Sequence, residues 1–435
     1  MEPHLQADPL GQRLDPAGDR SARREAGPGL YVHVPFCARR CAYCDFDTGA
    51  LSAAGVERYL AAMERECAIR AGEARGIVFD SVFFGGGTPS ALSARHFRRL
   101  WSALRAHFSI RRGAEITLEA NPESVGDRLL EAWSEAGVNR LSMGAQSFDP
   151  EELVALGRIH SAERPAAAFA QAREHGFTRL SLDLMFGFPG HVLRRWRATV
   201  ESALELAPEH LSAYCYIPEP GTPLGDEVAS GRQALPEAEE QADAYAWLTS
   251  RLEEAGYSCY ETSNFCRAGG QARHNLTYWL RRPYLGLGPS AHGLFRGDRY
   301  GNLQSLPRWA AALESGRRPE AEVEPETPYS IALEVMMLGL RLADGIHRED
   351  YPEPAWREVE RRYRRPFQRA LETGRLEEAR GGVRIPGSLR FTADDVIAWI
   401  EAEAERGVRE APRFDRHTDV FLTSVSCHST LSPGA

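Results

Sequence analysis

The sequence predicts an α/β protein: a partial (β/α)6 barrel of the TIM type followed by a small, mainly helical, winged-helix-like domain. Three observations predict it. Six short apolar or β-branched runs recur between residues 30 and 217, and segments of helical character lie between them. After residue 218 that alternation gives way to acidic, proline-rich stretches and then to long helical segments. Strands alternating with helices pair in parallel through right-handed crossovers. Six such units make most, but not all, of a barrel.

Residues 1–28 are rich in proline, glycine and charge, without periodicity, and read as a disordered leader. The barrel core follows over 29–218. Its strands are expected at LYVHV (30–34), SVFF (81–84), EITLEA (115–120), RLSMG (140–144), RLSLDLMF (179–186) and HLSAYCYI (210–217). VERYLAAMERECAIR and RPAAAFAQAREHG are helical, the second closing at Gly176 as a C-cap. Residues 219–326 look irregular and complete the barrel. The helical domain spans 327–410, and 411–435 read as a flexible tail.

Composition excludes several classes. No apolar run approaches the roughly 20 residues of a membrane span, and the first residues lack the apolar core of a signal peptide. A cytoplasmic protein is expected. The net charge is −9, and the chain contains no lysine, so every one of its 52 basic residues is arginine. Nucleic-acid binders carry a basic face or stripe. The arginine pairs here, such as Arg111-Arg112 and Arg361-Arg362, are scattered, and no nucleic-acid partner is expected. Of the eight cysteines, Cys67, Cys215, Cys259, Cys266 and Cys427 stand alone and read as small buried or incidental residues.

The other three fall at 37, 41 and 44, in CARRCAYCDF, directly after the first strand. A structural zinc site closes with four ligands, and only three are here unless His33 or a distant residue joins them. Three cysteines in eight residues make a merely structural role a poor account. A [4Fe–4S] cluster held by three thiolates leaves one iron open to another ligand, which accounts for the missing fourth. The other strand ends carry unusual residues as well. GGGTP (85–89) follows the second strand, Glu119 ends the third and Gln146 follows the fourth. Asp183 lies within the fifth and Ile217 ends the sixth. In a parallel barrel these positions converge on one rim, where sites are built. GLGPSA (286–291) imitates a dinucleotide fingerprint, but Pro289 and His292-Gly293 open no helix, and no nicotinamide site is expected there.

The C-x3-C-x2-C spacing, with Tyr43 before the last cysteine and GGGTP after the next strand, resembles the radical S-adenosylmethionine (SAM) superfamily. Over residues 29–400 the chain is similar to the oxygen-independent coproporphyrinogen III oxidase-like family. The segments that carry this are YVHVPFC, FFGGGTPS, LEANPE, RLSMGAQSF, GRIH, SLDLMFGFPG, ARHNLTYW and YLGLGPSAHG. The resemblance implies that Cys37, Cys41 and Cys44 hold a [4Fe–4S] cluster whose open iron binds SAM. It implies SAM contacts from Tyr31, Gly86, Gly87, Thr88, Glu119, Gln146, Arg158 and Asp183, with Tyr43 and Ile217 as further contacts.

Two features separate the branches of that family. The oxidase branch has a further cysteine two residues after the third, where this chain has Phe46. The heme-chaperone branch carries HNxxYW, here His274, Asn275, Tyr278 and Trp279. Imidazole ligates heme iron and flat rings pack on porphyrin, so His274 is the candidate heme ligand. The expectation is a heme chaperone that passes heme to a recipient apo-hemoprotein, by resemblance a respiratory one, with room for a homodimer. The rival from another class is an enzyme, a radical SAM coproporphyrinogen III oxidase, and the absent cysteine argues against it.

Overall fold

A computed structural model describes residues 20–410 except 47 and 380, so residues 1–19 of the expected leader, the tail and Cys427 lie outside the described residues. Six parallel strands stand in chain order: β1 (Gly29–Val34), β2 (Val78–Gly86), β3 (Ser109–Ala120), β4 (Arg140–Gln146), β5 (Leu180–Phe186) and β6 (His210–Cys215). Each follows a predicted run. Some of the connecting helices begin where a side-chain cap satisfies a first N–H group. Ser52 accepts from Gly55 N (3.1 Å) at the start of Ala53–Arg70, and Ser93 accepts from His96 N (3.3 Å) at the start of Ala94–His107. Gly176 follows Arg164–Glu174 with φ +82°, as a C-cap glycine should.

The strands alternate in a way that sets the chemistry. One face is apolar and meets the helices: Leu30 and Val32, Val82 and Phe84, Ile116 and Leu118, Leu141 and Met143, Leu182 and Leu184 are buried. Phe84, for example, meets Phe97 and Trp101 at ring separations of 5.3 and 6.2 Å. The other face carries Tyr31 and His33, Glu115 and Glu119, Ser142, Ser181 and Asp183, His210 and Ser212. Parallel strands covered on both sides are normally apolar throughout. Here the inner face is a polar chamber.

Two expectations need correction. The parallel set has a seventh member, β9 (Tyr284–Leu287), paired with the outer edge of β1 from Gly29↔Tyr284 to Val32↔Leu287. Residues 219–326 are therefore regular structure. β7 (Ser258–Glu261) and β8 (Asn264–Cys266) extend the sheet beyond β6, while β10 (His292–Phe295), β11 (Asp298–Asn302) and β12 (Glu320–Pro325) extend it beyond β9. GLGPSA runs from strand through turn to strand, without the helix start a dinucleotide would need. Gly286 is glycine because a Cβ would stand 2.0 Å from the His292 carbonyl oxygen. The second correction concerns the leader. Arg20–Glu25 is helical, Ala26 is buried, Glu25 pairs with Arg273 (3.6 Å) and Thr277 donates to Gly27 O (3.1 Å). Contact with a distant helix orders what composition alone left without structure.

The chain divides between Glu326 and Thr327 into two compact units. The second unit comprises the helices Pro328–Gly339, Glu353–Glu372 and Ala393–Glu410 with an antiparallel sheet of Ile346–His347, Gly382–Arg384 and Glu377–Ala379. Val335, Met336, Val359, Tyr363 and Ile400 form its core. Among the described residues, no helix is long and apolar enough to cross a membrane.

Candidate functional site: a cysteine loop above a polar chamber

The cysteine loop leaves the C-terminal end of β1 and is fastened by backbone bonds rather than by its own secondary structure. Ala42 N donates to Leu156 O (3.1 Å), Leu224 N donates to Ala42 O (2.9 Å), and Phe36–Cys37 bridges to Gly49–Ala50. Gly157 sits so close that a Cβ would meet Ala42 N at 3.0 Å, and its φ of +72° also favours glycine. This gives the GR of GRIH a physical reason: the glycine admits the loop and the arginine beside it reaches the thiols.

Arg158 is the hub. Nη1 donates to Cys41 Sγ (3.3 Å), and Nη2 donates to Asn121 Oδ1 (2.7 Å) and Gly144 O (2.7 Å). Asn121 Nδ2 donates to Thr88 Oγ1 (3.1 Å), which lies 3.3 Å from Cys37 Sγ. One chain of contacts thus joins the loop after β1, the glycine run after β2, the end of β3 and the loop after β4. Burial opposes the Arg158 charge, but Tyr43, Cys41 and Glu123 around it raise its hold on the proton overall. Burial pushes the Cys44 thiol up to about 12, with the Phe46 backbone N–H working the other way, and it raises Cys37 against the Thr88 hydroxyl.

Two carboxyls face the chamber below. Asp183 accepts from Ser142 Oγ at 3.0 and 3.1 Å. Burial lifts it to about 6 against the hydroxyls of Ser212 and Ser142. Glu119 is held well above the usual carboxylate range by burial and then by Asp183. At the end of β4 a register shift re-aims Gln146, buried with φ +66°, a conformation rare outside glycine.

The glycine run does more for the protein itself than the sequence suggested. A Cβ on Gly87 would stand 2.8 Å from Phe36 O and 2.9 Å from both Phe36 N and Val34 O. On Gly86 (φ +104°) it would strike the His33 ring at 2.5 Å. The run therefore lets the loop after β2 lie directly on the end of β1, where the cysteines begin.

Of the sequence-predicted residues, the structure gathers Cys37, Cys41, Tyr43, Thr88, Gly86, Gly87, Glu119, Gln146, Arg158 and Asp183 around this rim and chamber, with Cys44 next along the loop and Tyr31 below. Ile217 lies two residues past the C-terminal end of β6, which closes at Cys215, and stands 58% exposed there. His274 is apart, as it lies beside Gly29 and Ser81 at the N-terminal ends of the strands. Both of its ring nitrogens are engaged, Nδ1 with Ser81 Oγ (2.8 Å) and Nε2 with Tyr278 OH (2.8 Å), and its side chain is buried. So placed, it offers no free lone pair to an iron. Asn121, Ser142 and Ser212 were not singled out from sequence. Asn121 lies within LEANPE, and the serines were legible as polar residues at alternate positions of strands that should be apolar.

Among the described residues no three His, Cys, Asp or Glu side chains are grouped closely enough to hold one metal ion. A [4Fe–4S] cluster asks for a wider arrangement, since its thiolates bind different irons. Several buried polar atoms in the chamber lack a partner: Glu119 Oε1, Gln146 Oε1 and Arg158 Nε. Acceptors suit an ammonium group or ribose hydroxyls, and a guanidinium N–H suits a carboxylate. The donor set fits SAM beside a three-thiolate cluster.

The loop after β5 carries a pH-dependent element. His191 lies among Phe186, Phe188 and Trp196 (ring separations 6.4, 5.1 and 5.8 Å), and burial lowers it to about 4. The unfolded chain takes up a proton there below about pH 6.5 while the folded chain does not, so stability contributed by the neutral ring is lost as pH falls through that window. A His191→Phe protein is expected to gain on the wild type as pH falls from 6.5 to 4, by at most about 3 kcal/mol. Urea unfolding of both at several pH values checks this; a difference independent of pH refutes it.

A family model for the radical SAM superfamily matches residues 31–203. The chain is 33% identical over 368 residues to the heme chaperone HemW of Bacillus subtilis (strain 168), spanning 84% of this chain and 97% of that protein. It is 37% identical over 321 residues to HemW of Mycobacterium tuberculosis (strain ATCC 25618 / H37Rv), with 73% and 82% covered. It is also 37% identical over 343 residues to the mitochondrial radical S-adenosyl methionine domain-containing protein 1 of Bos taurus, with 77% and 74% covered. Among solved structures, the coproporphyrinogen III oxidase HemN of Escherichia coli shares the fold, with a TM-score of 0.75 over 89% of this chain and 94% of that one at 21% identity.

Proposed function

The chain belongs to the radical SAM superfamily and, within it, to the HemW family, and from that premise we propose that it is a heme chaperone, which binds heme and delivers it to a recipient apo-hemoprotein. The observation that carries the reading is similarity to HemW over nearly the whole length of the relative. Phe46, at the position of the oxidase branch's further cysteine, is in keeping with it. Cys37, Cys41 and Cys44 would hold the [4Fe–4S] cluster, which would supply an open iron as a coordination site for SAM and a one-electron donor beside it. The protein's own residues do the rest. Arg158 orients Cys41, Thr88 orients Cys37, and Glu119, Gln146 and Asp183 line the chamber that receives SAM. Gly86, Gly87, Tyr31, Tyr43 and Ile217 complete the proposed contacts. The recipient is read as a respiratory hemoprotein and the compartment as the cytoplasm, with room for a homodimer.

The test loads the anaerobically reconstituted protein with hemin and mixes it with an apo-hemoprotein. Transfer is expected to exceed that from a Cys37→Ser protein by about tenfold, a coupling of roughly 1.4 kcal/mol. Equal transfer from the two, or none from the wild type, overturns the reading.

A further inference from the structure

HNxxYW builds the floor of the chamber. Its helix, Arg273–Trp279, begins where His274 N donates to Glu115 Oε1 (2.9 Å), and Glu115 in turn pairs with Arg140 (3.2 Å). Asn275 Nδ2 donates to Tyr260 OH (3.0 Å), which lies 2.9 Å from His210 Nε2; His210 Nδ1 lies 2.8 Å from Ser181 Oγ. The segment is tied to four strands of the barrel, and the stretch around Gly27 lies on its outer side.

Above this floor stands a column of rings. The His274 ring stacks on Phe83 (5.2 Å, 24°), Phe83 stacks on Tyr31 (6.3 Å, 26°), and Tyr31 OH lies 3.0 Å from His33 Nδ1. The top of the column meets the glycine run: a Cβ on Gly85 would touch Phe83 at 2.8 Å and Glu119 at 3.1 Å, and the His33 ring underlies Gly86. Ser81, Phe83 and Gly85 are alternate residues of β2, and Gly29, Tyr31 and His33 are alternate residues of β1, so each set lines one face. From Gly29 to Val34 is about 17 Å at the usual strand rise. His274 is thus a barrel's depth from the cysteines, yet joined to their support by continuous packing.

We propose that His274 is a positioning residue of the SAM chamber, setting the height of the Phe83–Tyr31 column under Gly85, Gly86 and Glu119, and that it is not the heme ligand. The neutral ring donates from one nitrogen and accepts at the other, and the hydroxyls of Ser81 and Tyr278 serve either role. Burial lowers His274 to about 3, so the ring stays neutral at any working pH, as this pair of bonds requires. Ligating iron would mean giving up one bond and opening a floor held by Glu115, Tyr260 and the Gly27 segment. The inference rests on membership of the radical SAM superfamily for its ligand, and on the heme-chaperone reading only for the role it excludes.

Ser81→Ala and Tyr278→Phe each free one ring nitrogen while leaving the imidazole in place, so the two roles make opposite predictions. SAM affinity, measured by equilibrium dialysis on the cluster-loaded protein, is expected to fall about tenfold or more in both variants, the usual cost of losing an orienting partner. His274→Gln, which keeps a donor and an acceptor, is expected to recover SAM affinity relative to His274→Ala. The Soret band and hemin affinity should match the wild type in all four. Unchanged SAM affinity in Tyr278→Phe, together with a shifted Soret band in His274→Gln, overturns the proposal and makes His274 the ligand. A wild type that binds no hemin refutes the chaperone reading, and the SAM measurements then decide the positioning role alone. Thermal melts exclude a variant that does not fold, and Tyr278→Phe is the milder of the pair.

Discussion

Replacing Arg158 with leucine is expected to cost the protein about 2–3 kcal/mol of stability and to empty it of iron. Leucine fills much of the space but leaves Cys41 Sγ, Asn121 Oδ1 and the Gly144 carbonyl without their donor. Asn121 would then no longer be held where it bonds Thr88, and Thr88 no longer where it meets Cys37. One substitution therefore loosens two of the three thiols. Arg158→Lys restores charge but not the fork that reaches three acceptors, and should fall between the two. Urea unfolding and iron per chain after anaerobic reconstitution measure both effects. Wild-type iron content in Arg158→Leu would show that the hub does not govern the cysteines.

Gly87→Ala is expected to do comparable damage by geometry alone, at about 3 kcal/mol, the upper range for overpacking. The three atoms nearest the added methyl are all backbone: Phe36 O, Phe36 N and Val34 O. Relief must come from the backbone rather than from a side-chain rotation, and Val34 O is also the acceptor of Gly87 N (2.9 Å). Cys37 follows Phe36 directly in the chain, so the displacement arrives at the first ligand. Gly126→Ala is the control, since nothing lies within 4 Å of its Cβ position. Equal melting of the two variants would refute the packing argument.

The sequence announced the barrel because its six core strands combine apolar content with the alternating helices that bury one face. The cysteine loop was legible for a different reason, as three thiols in eight residues have few uses. The seventh strand was hidden: YLGL offers four residues, one of them glycine and none β-branched, and its partner β1 lies far away in the chain. Arg158, Thr88 and the cysteines were legible through their motifs, yet their connection through Asn121 depends on the side chains of four separate connections meeting. His274 was ambiguous in the sequence for a physical reason. Histidine beside aromatic rings has the composition of a heme site whether its nitrogens are free or bonded, and only the fold tells which end of the barrel it occupies.

Because the outer neighbour of β1 is Tyr284–Leu287, the strand that carries the cysteine loop has its two flanks supplied at different times during synthesis. Val78–Gly86 emerges first, and the other flank follows roughly 200 residues later, on the order of 10–40 s at ordinary elongation rates. The floor helix Arg273–Trp279 arrives just ahead of that second flank. Until then the nascent chain holds its three thiols at the end of a strand with one edge unpaired and the chamber open from below. The topology therefore makes closure of the barrel a late event, and iron and sulfide delivered after it would meet a chamber whose floor is already shut.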